Sequence, residues 1–125
     1  MRIFVTGATG FIGHAVATNL YHAGHKDYAL TRSAEKAQRL SAAEVLPVTG
    51  DMIRPETYLE AASRCQVVIH CAAEYSTRYI KLDRRTVHEQ LKSAQASGQP
   101  HLFLYTSGCW VYGSAVRRRR TNPRP

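Results

Sequence analysis

An α/β protein built on one doubly wound parallel sheet is the fold that this 125-residue sequence predicts, on three observations. Short apolar runs alternate with amphipathic stretches of helical period. The connections between those runs are too long for hairpins and suit helical crossovers between parallel neighbours. Gly7, Gly10 and Gly13 stand at the junction of the first run and the first helix.

Arg2–Thr6 (RIFVT) reads as the first strand, and the first helix follows over Phe11–His22. Its apolar residues are Phe11, Ile12, Ala15, Val16 and Leu20, and Gly24 closes it. Tyr28–Thr31 is a second short strand, after which Ser33 caps a helix running to about Leu40. Val45–Val48 is a third strand, and its Pro47, which cannot donate to a ladder, places it at a sheet edge. Pro55 suits the first turn of a helix from about Glu56 to Arg64. Gln66–Ala72 (QVVIHCA) is a largely apolar run of the kind buried on both faces of a sheet. A long helix over about Arg78–Ser97 is expected to turn Leu82, Val87, Leu91 and Ala94 to the core and to stop at Gly98. Leu102–Thr106 (LFLYT) is the fifth strand, and the predicted strand order is 3-2-1-4-5.

The length suits one compact domain, expected over residues 1–114, with a basic tail over 115–125. No apolar run reaches the ~18 residues of a membrane span, and the N-terminus lacks a signal-peptide pattern. A soluble, cytoplasmic protein is therefore expected. Cys65, Cys71 and Cys109 are an odd number at wide spacings, with no paired-ligand pattern, and no metal is expected. His70 adjoins Cys71, but adjacent strand residues point to opposite faces. His14, His22, His25, His88 and His101 read as surface or loop residues. The net charge of +8 raises nucleic-acid binding as a reading, but Arg117, Arg118, Arg119, Arg120 and Arg124 sit together in the tail, and the body is only mildly basic. Such a tail would bind without sequence preference and with strong salt dependence, and it lacks aromatic stacking residues. A solvated, disordered tail is the expectation.

The glycine turn carries the chemistry. A phosphate site between a strand and a helix needs one glycine for the tight turn, one where the main chain meets the pyrophosphate and one for close helix packing. Unpaired N–H groups at the helix start then face the anion.

Thr6-Gly7-Ala8-Thr9-Gly10-Phe11-Ile12-Gly13 resembles the cofactor signature of the short-chain dehydrogenase/reductase superfamily, in its extended and atypical branches, the NAD-dependent epimerase/dehydratase group. Gly50-Asp51, His70-Cys71-Ala72-Ala73 and the Tyr105–Gly113 segment (YTSGCWVYG) are similar to further motifs of that group, in the same order. The resemblance implies a Rossmann-like domain that binds a nicotinamide dinucleotide. The residues implied are Thr6, Gly7, Thr9, Gly10, Phe11, Ile12 and Gly13 on the diphosphate, Asp51 and Met52 by the adenine, and Cys71, Ala72, Ala73, Thr106 and Ser107 along the cleft. Asp51 has a second reading as a turn residue before Pro55.

Thr31-Arg32-Ser33 at the end of the second strand has no acid to accept a ribose hydroxyl, so NADP is favoured over NAD, with Arg32 and Ser33 on the 2′-phosphate. The plainer alternative leaves Arg32 an exposed strand-end residue.

In the family a Tyr-x-x-x-Lys pair supplies the acid/base, because a free Tyr with a pKa near ~10 needs an adjacent ammonium to act at neutral pH. No Tyr of this chain has Lys four residues on. The orienting Ser or Thr of the family falls on Gly108, leaving Thr106 and Ser107 as weak catalytic candidates, and Tyr112 and Trp110 read as packing residues. Asp83 and Thr86 stand where many relatives carry the Asn and Gly of Asn-x-x-Gly-Thr. The expectation is the cofactor-binding part of a C-terminally truncated oxidoreductase, unable to turn over substrate alone. The alternative is a non-catalytic dinucleotide-sensing module. An uncovered fifth strand is expected to lower stability or to bring copies together edge to edge.

Overall fold

The computed structural model describes residues 1–108 and Gly113. The expectations for Cys109, Trp110, Tyr112 and the tail lie outside the described residues.

The chain forms β1 (Arg2–Thr6), α1 (Phe11–His22), β2 (Lys26–Thr31), α2 (Ala34–Ala42), β3 (Leu46–Thr49), a 3-10 turn at Pro55–Thr57, α3 (Leu59–Ser63), β4 (Val67–His70), α4 (Tyr79–Ala96) and β5 (Leu102–Tyr105). The sheet order is β3-β2-β1-β4-β5, as the sequence predicts, and every pairing is parallel. All five strands therefore end at one edge of the sheet. The register sets Val5 beside Ala29 on one side and Ile69 on the other.

Strand alternation builds two cores. Ile3, Val5, Ala29, Val67 and Ile69 pack against Ala17 of α1 and Leu40 of α2, with Val16 and Leu20 beside them. Phe4, Leu30 and Val68 face the other way, against Tyr58, Ala62 and Cys65. β4 is buried along its whole length, as its apolar composition requires. Pro47 lies on β3, an edge strand. The Ser33 hydroxyl accepts the Lys36 N–H at 3.3 Å and caps α2.

Several expectations need correction. In α1 the buried face is Gly13 and Ala17, while Phe11 and Ile12 are 97% and 53% exposed, because the helix starts out beyond the sheet edge. The segment after Pro55 begins as a 3-10 turn and leaves only five helical residues in α3. Strand β2 starts earlier, at Lys26, and β3 is shifted to Leu46–Thr49. In α4 the buried residues are Thr86 and Gln90, whereas Leu91 is 41% exposed. Its inward face is chosen by Tyr58, against which Thr86 lies, and not by the apolar stripe through Val87, Leu91 and Ala94. That stripe lies to the side of the buried face. Strand β5 is the opposite edge of the sheet from β3, with Leu102 and Leu104 about half exposed.

Candidate functional site

Each segment singled out in the sequence leaves the sheet at its carboxyl edge. The glycine turn follows β1, Arg32 and Ser33 follow β2, Asp51 and Met52 follow β3, Cys71 to Ala73 follow β4, and Thr106 and Ser107 follow β5. The chain goes outward from β1 to β2 through α1 and from β4 to β5 through α4, so β1 and β4 flank the point where the winding reverses. Open α/β sheets form their ligand crevice at such a point.

The walls of that crevice touch through main chain. Gly7 has φ +76°, and a Cβ there would stand 2.6 Å from the Ala72 nitrogen, so only glycine lets the β1 turn lie against the segment after β4. A Cβ on Gly13 would stand 2.5 Å from the Gly7 carbonyl carbon, which allows α1 to start directly against the turn. Gly10 is the N-cap of α1; no side chain caps it, and no acid sits in the first turn. Its carbonyl accepts the His14 N–H at 2.9 Å, while Thr9, Gly10, Phe11 and Ile12 are exposed. The start of a twelve-residue helix is thus open to solvent with no carboxylate to repel an anion. A dinucleotide diphosphate fits these residues.

Arg32 is exposed and makes no ion pair among the described residues. The Ser33 hydroxyl serves the α2 cap and keeps its own proton to donate. Asp51 does act as a turn residue: its Oδ1 accepts the Ile53 N–H at 3.0 Å, and its own N–H donates to Thr57 Oγ1 at 2.9 Å. Its other carboxylate oxygen has no partner among the described residues. Met52 and Ala72 line one shallow cleft together with Glu74, Tyr79, Leu82 and Asp83. Cys71 Sγ lies 3.2 Å from Thr106 Oγ1, and the Thr106 N–H donates to the His70 carbonyl at 3.0 Å. Ser107 and Ala73 are exposed.

Thr6 lies behind the crevice and not in it. It is fully buried, and its hydroxyl is within 2.8 Å of His70 Nδ1 and accepts the Ala72 N–H at 3.4 Å. His70 Nε2 stands 3.1 Å from Asp83 Oδ1 of α4, and the Tyr105 hydroxyl donates to Asp83 Oδ2 at 2.8 Å. Burial holds the His70 pKa below the ordinary imidazole value even though Asp83 pulls it up, so the ring is neutral near pH 7. The bond to Asp83 and partial burial push the Tyr105 phenol up to about 12, which keeps its proton on. The sequence reading missed this group. An aspartate early in the helix that follows a His-ended strand was the available signal, because a buried imidazole needs partners for both nitrogens.

Among the described residues no cluster of three or more metal-binding side chains occurs, and no helix is long and apolar enough to cross a membrane.

The family model of the NAD dependent epimerase/dehydratase family matches residues 3–124. An uncharacterised protein of Schizosaccharomyces pombe is 40% identical over 91 residues, which are 70% of this chain and 31% of that protein. The chain thus spans about a third of the length of that curated relative. UDP-glucose-4-epimerase from Stenotrophomonas maltophila, solved with bound NAD, superposes with a TM-score of 0.76 at 22% identity, over 90% of this chain and 38% of that one. Yeast methylglyoxal/isovaleraldehyde reductase complexed with NADPH superposes with a TM-score of 0.73 at 20% identity, over 86% of this chain and 37% of that one. At those identities the superpositions speak for the fold alone. The family match, over nearly the whole chain and over the crevice just described, shows that the chain belongs to the NAD dependent epimerase/dehydratase family.

Proposed function

We propose that this chain is the dinucleotide-binding part of an oxidoreductase of the reductase or epimerase type, that it prefers NADP, and that it does not turn over substrate by itself. The observation that carries the reading is the uncapped start of α1 lying against the main chain of Ala72 at the reversal of the sheet. The N–H groups of Phe11, Ile12 and Gly13 are the helix-start donors that would hold the diphosphate, without any lysine. Met52 and Asp51 border the adenine end, and Cys71, Ala72, Ala73, Thr106 and Ser107 border the nicotinamide end. A bound nicotinamide supplies or accepts hydride. Tyr105, at the end of β5, stays protonated under Asp83 and is unsuited to act as a base.

The preference for NADP rests on Arg32, an exposed guanidinium at the end of β2 with no carboxylate partner among the described residues, beside the hydroxyl of Ser33. Isothermal titration of the full chain with NADPH and NADH tests it. NADPH is expected to bind more tightly by roughly tenfold or more, about the worth of one charge-assisted phosphate contact, and Arg32→Ala is expected to erase the difference. Equal affinities in the wild-type chain, or an undiminished preference in the variant, contradict the assignment. A hydride-transfer assay on the chain alone is expected to be negative. The Tyr105 phenol, held protonated by Asp83, also suits a second reading as a dinucleotide sensor, marked by a protein partner that binds only with NADPH present.

A further inference from the structure

Four side chains from four elements form one chain of hydrogen bonds behind the crevice. With the His70 ring neutral and Asp83 ionised, one proton arrangement satisfies every link. Ala72 N–H donates to Thr6 Oγ1, Thr6 O–H donates to His70 Nδ1, His70 Nε2–H donates to Asp83 Oδ1, and Tyr105 O–H donates to Asp83 Oδ2. The His70 ring also stacks on Tyr105, with centroids 5.7 Å apart and planes inclined by 13°. The first link ends on the main chain that lies against Gly7.

We propose that Asp83 is the positioning residue of the dinucleotide crevice: it selects the Nε2–H form of His70, which through Thr6 sets where the Ala72 main chain stands against the glycine turn. The inference rests on the dinucleotide reading above, but its first readout does not. A carboxylate at position 83 accepts from two donors at once and so fixes both rings, whereas an amide there accepts from one and must offer N–H to the other. Protonating His70 puts a hydrogen on Nδ1. Thr6 Oγ1 then has to accept from His70, and its own proton loses its acceptor in a site with no access to water. Among the described residues, the titratable groups facing the imidazole are Asp83 from α4 and Tyr105 from β5, with Tyr79 of α4 near Tyr105; β1 contributes the uncharged Thr6.

The test uses the full chain and the variants Asp83→Asn, Asp83→Ala and Thr6→Val. Nitrogen NMR of the His70 ring reads the tautomer without any dinucleotide: the Nε2–H form is expected in the wild type and in Thr6→Val, and a mixture in Asp83→Ala. NADPH titration between pH 5 and 8 reads the crevice. Wild-type affinity is expected to fall on the acid side as His70 protonates. Asp83→Ala is expected to bind roughly tenfold more weakly near neutral pH, the scale of one lost hydrogen bond to a charged group, and to move the acid fall to lower pH, because the group that raises the His70 pKa is gone. Thr6→Val is expected to weaken binding while leaving the tautomer in place, and Asp83→Asn to lie between wild type and Asp83→Ala. A wild-type ring in the Nδ1–H form, or affinities that fall in the variants with an unmoved acid limb, overturns the proposal. Failure of the wild-type chain to bind NADPH at all, with the tautomers as expected, overturns the dinucleotide reading and removes the crevice role from Asp83.

Discussion

At the scale of single residues, glycine chemistry decides the crevice. Gly13 is buried, and its α-carbon faces the Gly7 carbonyl with no room for a methyl group. Because the obstruction is backbone on both sides, Gly13→Ala is expected to lower stability by about 2 kcal/mol or more, toward the upper end of overpacking costs. Urea unfolding followed by circular dichroism checks it, and a loss below about 0.5 kcal/mol would mean that α1 can slide away from the turn. Asp27 is the other residue whose fate follows from its surroundings. It is 2% exposed on β2 with neither carboxylate oxygen hydrogen-bonded, and burial raises its pKa despite the nearby His25 and N-terminus, which lower it. A carboxyl with a raised folded pKa favours the fold most below its unfolded value of 3.8 and loses that contribution as pH rises through the folded value. Asp27→Asn is therefore expected to be more stable than wild type at pH 7, by about 1 kcal/mol, and less favoured relative to it at pH 3. Thermal melts at the two pH values read the crossing, and a variant that is destabilised equally at both contradicts it.

At the scale of elements, what the sequence made legible depended on whether a residue type or a neighbour decides the outcome. The glycine turn, the Ser33 cap and the edge strand with Pro47 could be read because each requirement is local: a positive φ, a missing side chain, a hydroxyl before a helix, an absent N–H. The orientation of α4 could not. Val87, Leu91 and Ala94 make an apolar stripe of helical period, and periodicity reveals a stripe without naming the element that covers it. In the fold the buried residues are Thr86 and Gln90, while Leu91 stays partly exposed. Leu91→Ala is thus expected to cost less than about 1 kcal/mol, against the roughly 2–5 kcal/mol expected for Leu40→Ala in the core beneath α2. Equal costs would return Leu91 to a buried role. The same limit hid the His70, Asp83 and Tyr105 group, since its partners come from β4, α4 and β5 and share no sequence spacing.

At the scale of the whole molecule, the sheet has two unlike edges. β3 carries Pro47, which blunts pairing, whereas β5, among the described residues, offers unpaired main-chain groups and the half-exposed Leu102 and Leu104. Self-association through β5 is the expected consequence, visible as a rise in sedimentation coefficient with concentration. Leu104→Lys is expected to reduce it, and a wild-type chain that sediments as a monomer at all concentrations contradicts it. The other whole-molecule property is convergence. Five parallel strands deliver the glycine turn, Arg32, Asp51, Ala72 and Thr106 to one edge, although they are scattered along the chain. The sheet order makes that convergence a crevice, and the family match covers the same stretch. The most direct measurement is a backbone-amide NMR titration of the full chain with NADPH. Saturable shifts confined to the amides from Gly7 to Gly13 and around Cys71 to Ala73 are the predicted result, with the largest at Phe11 and Ile12. A spectrum that does not change, or shifts confined to residues away from the carboxyl edge of the sheet, would contradict the account.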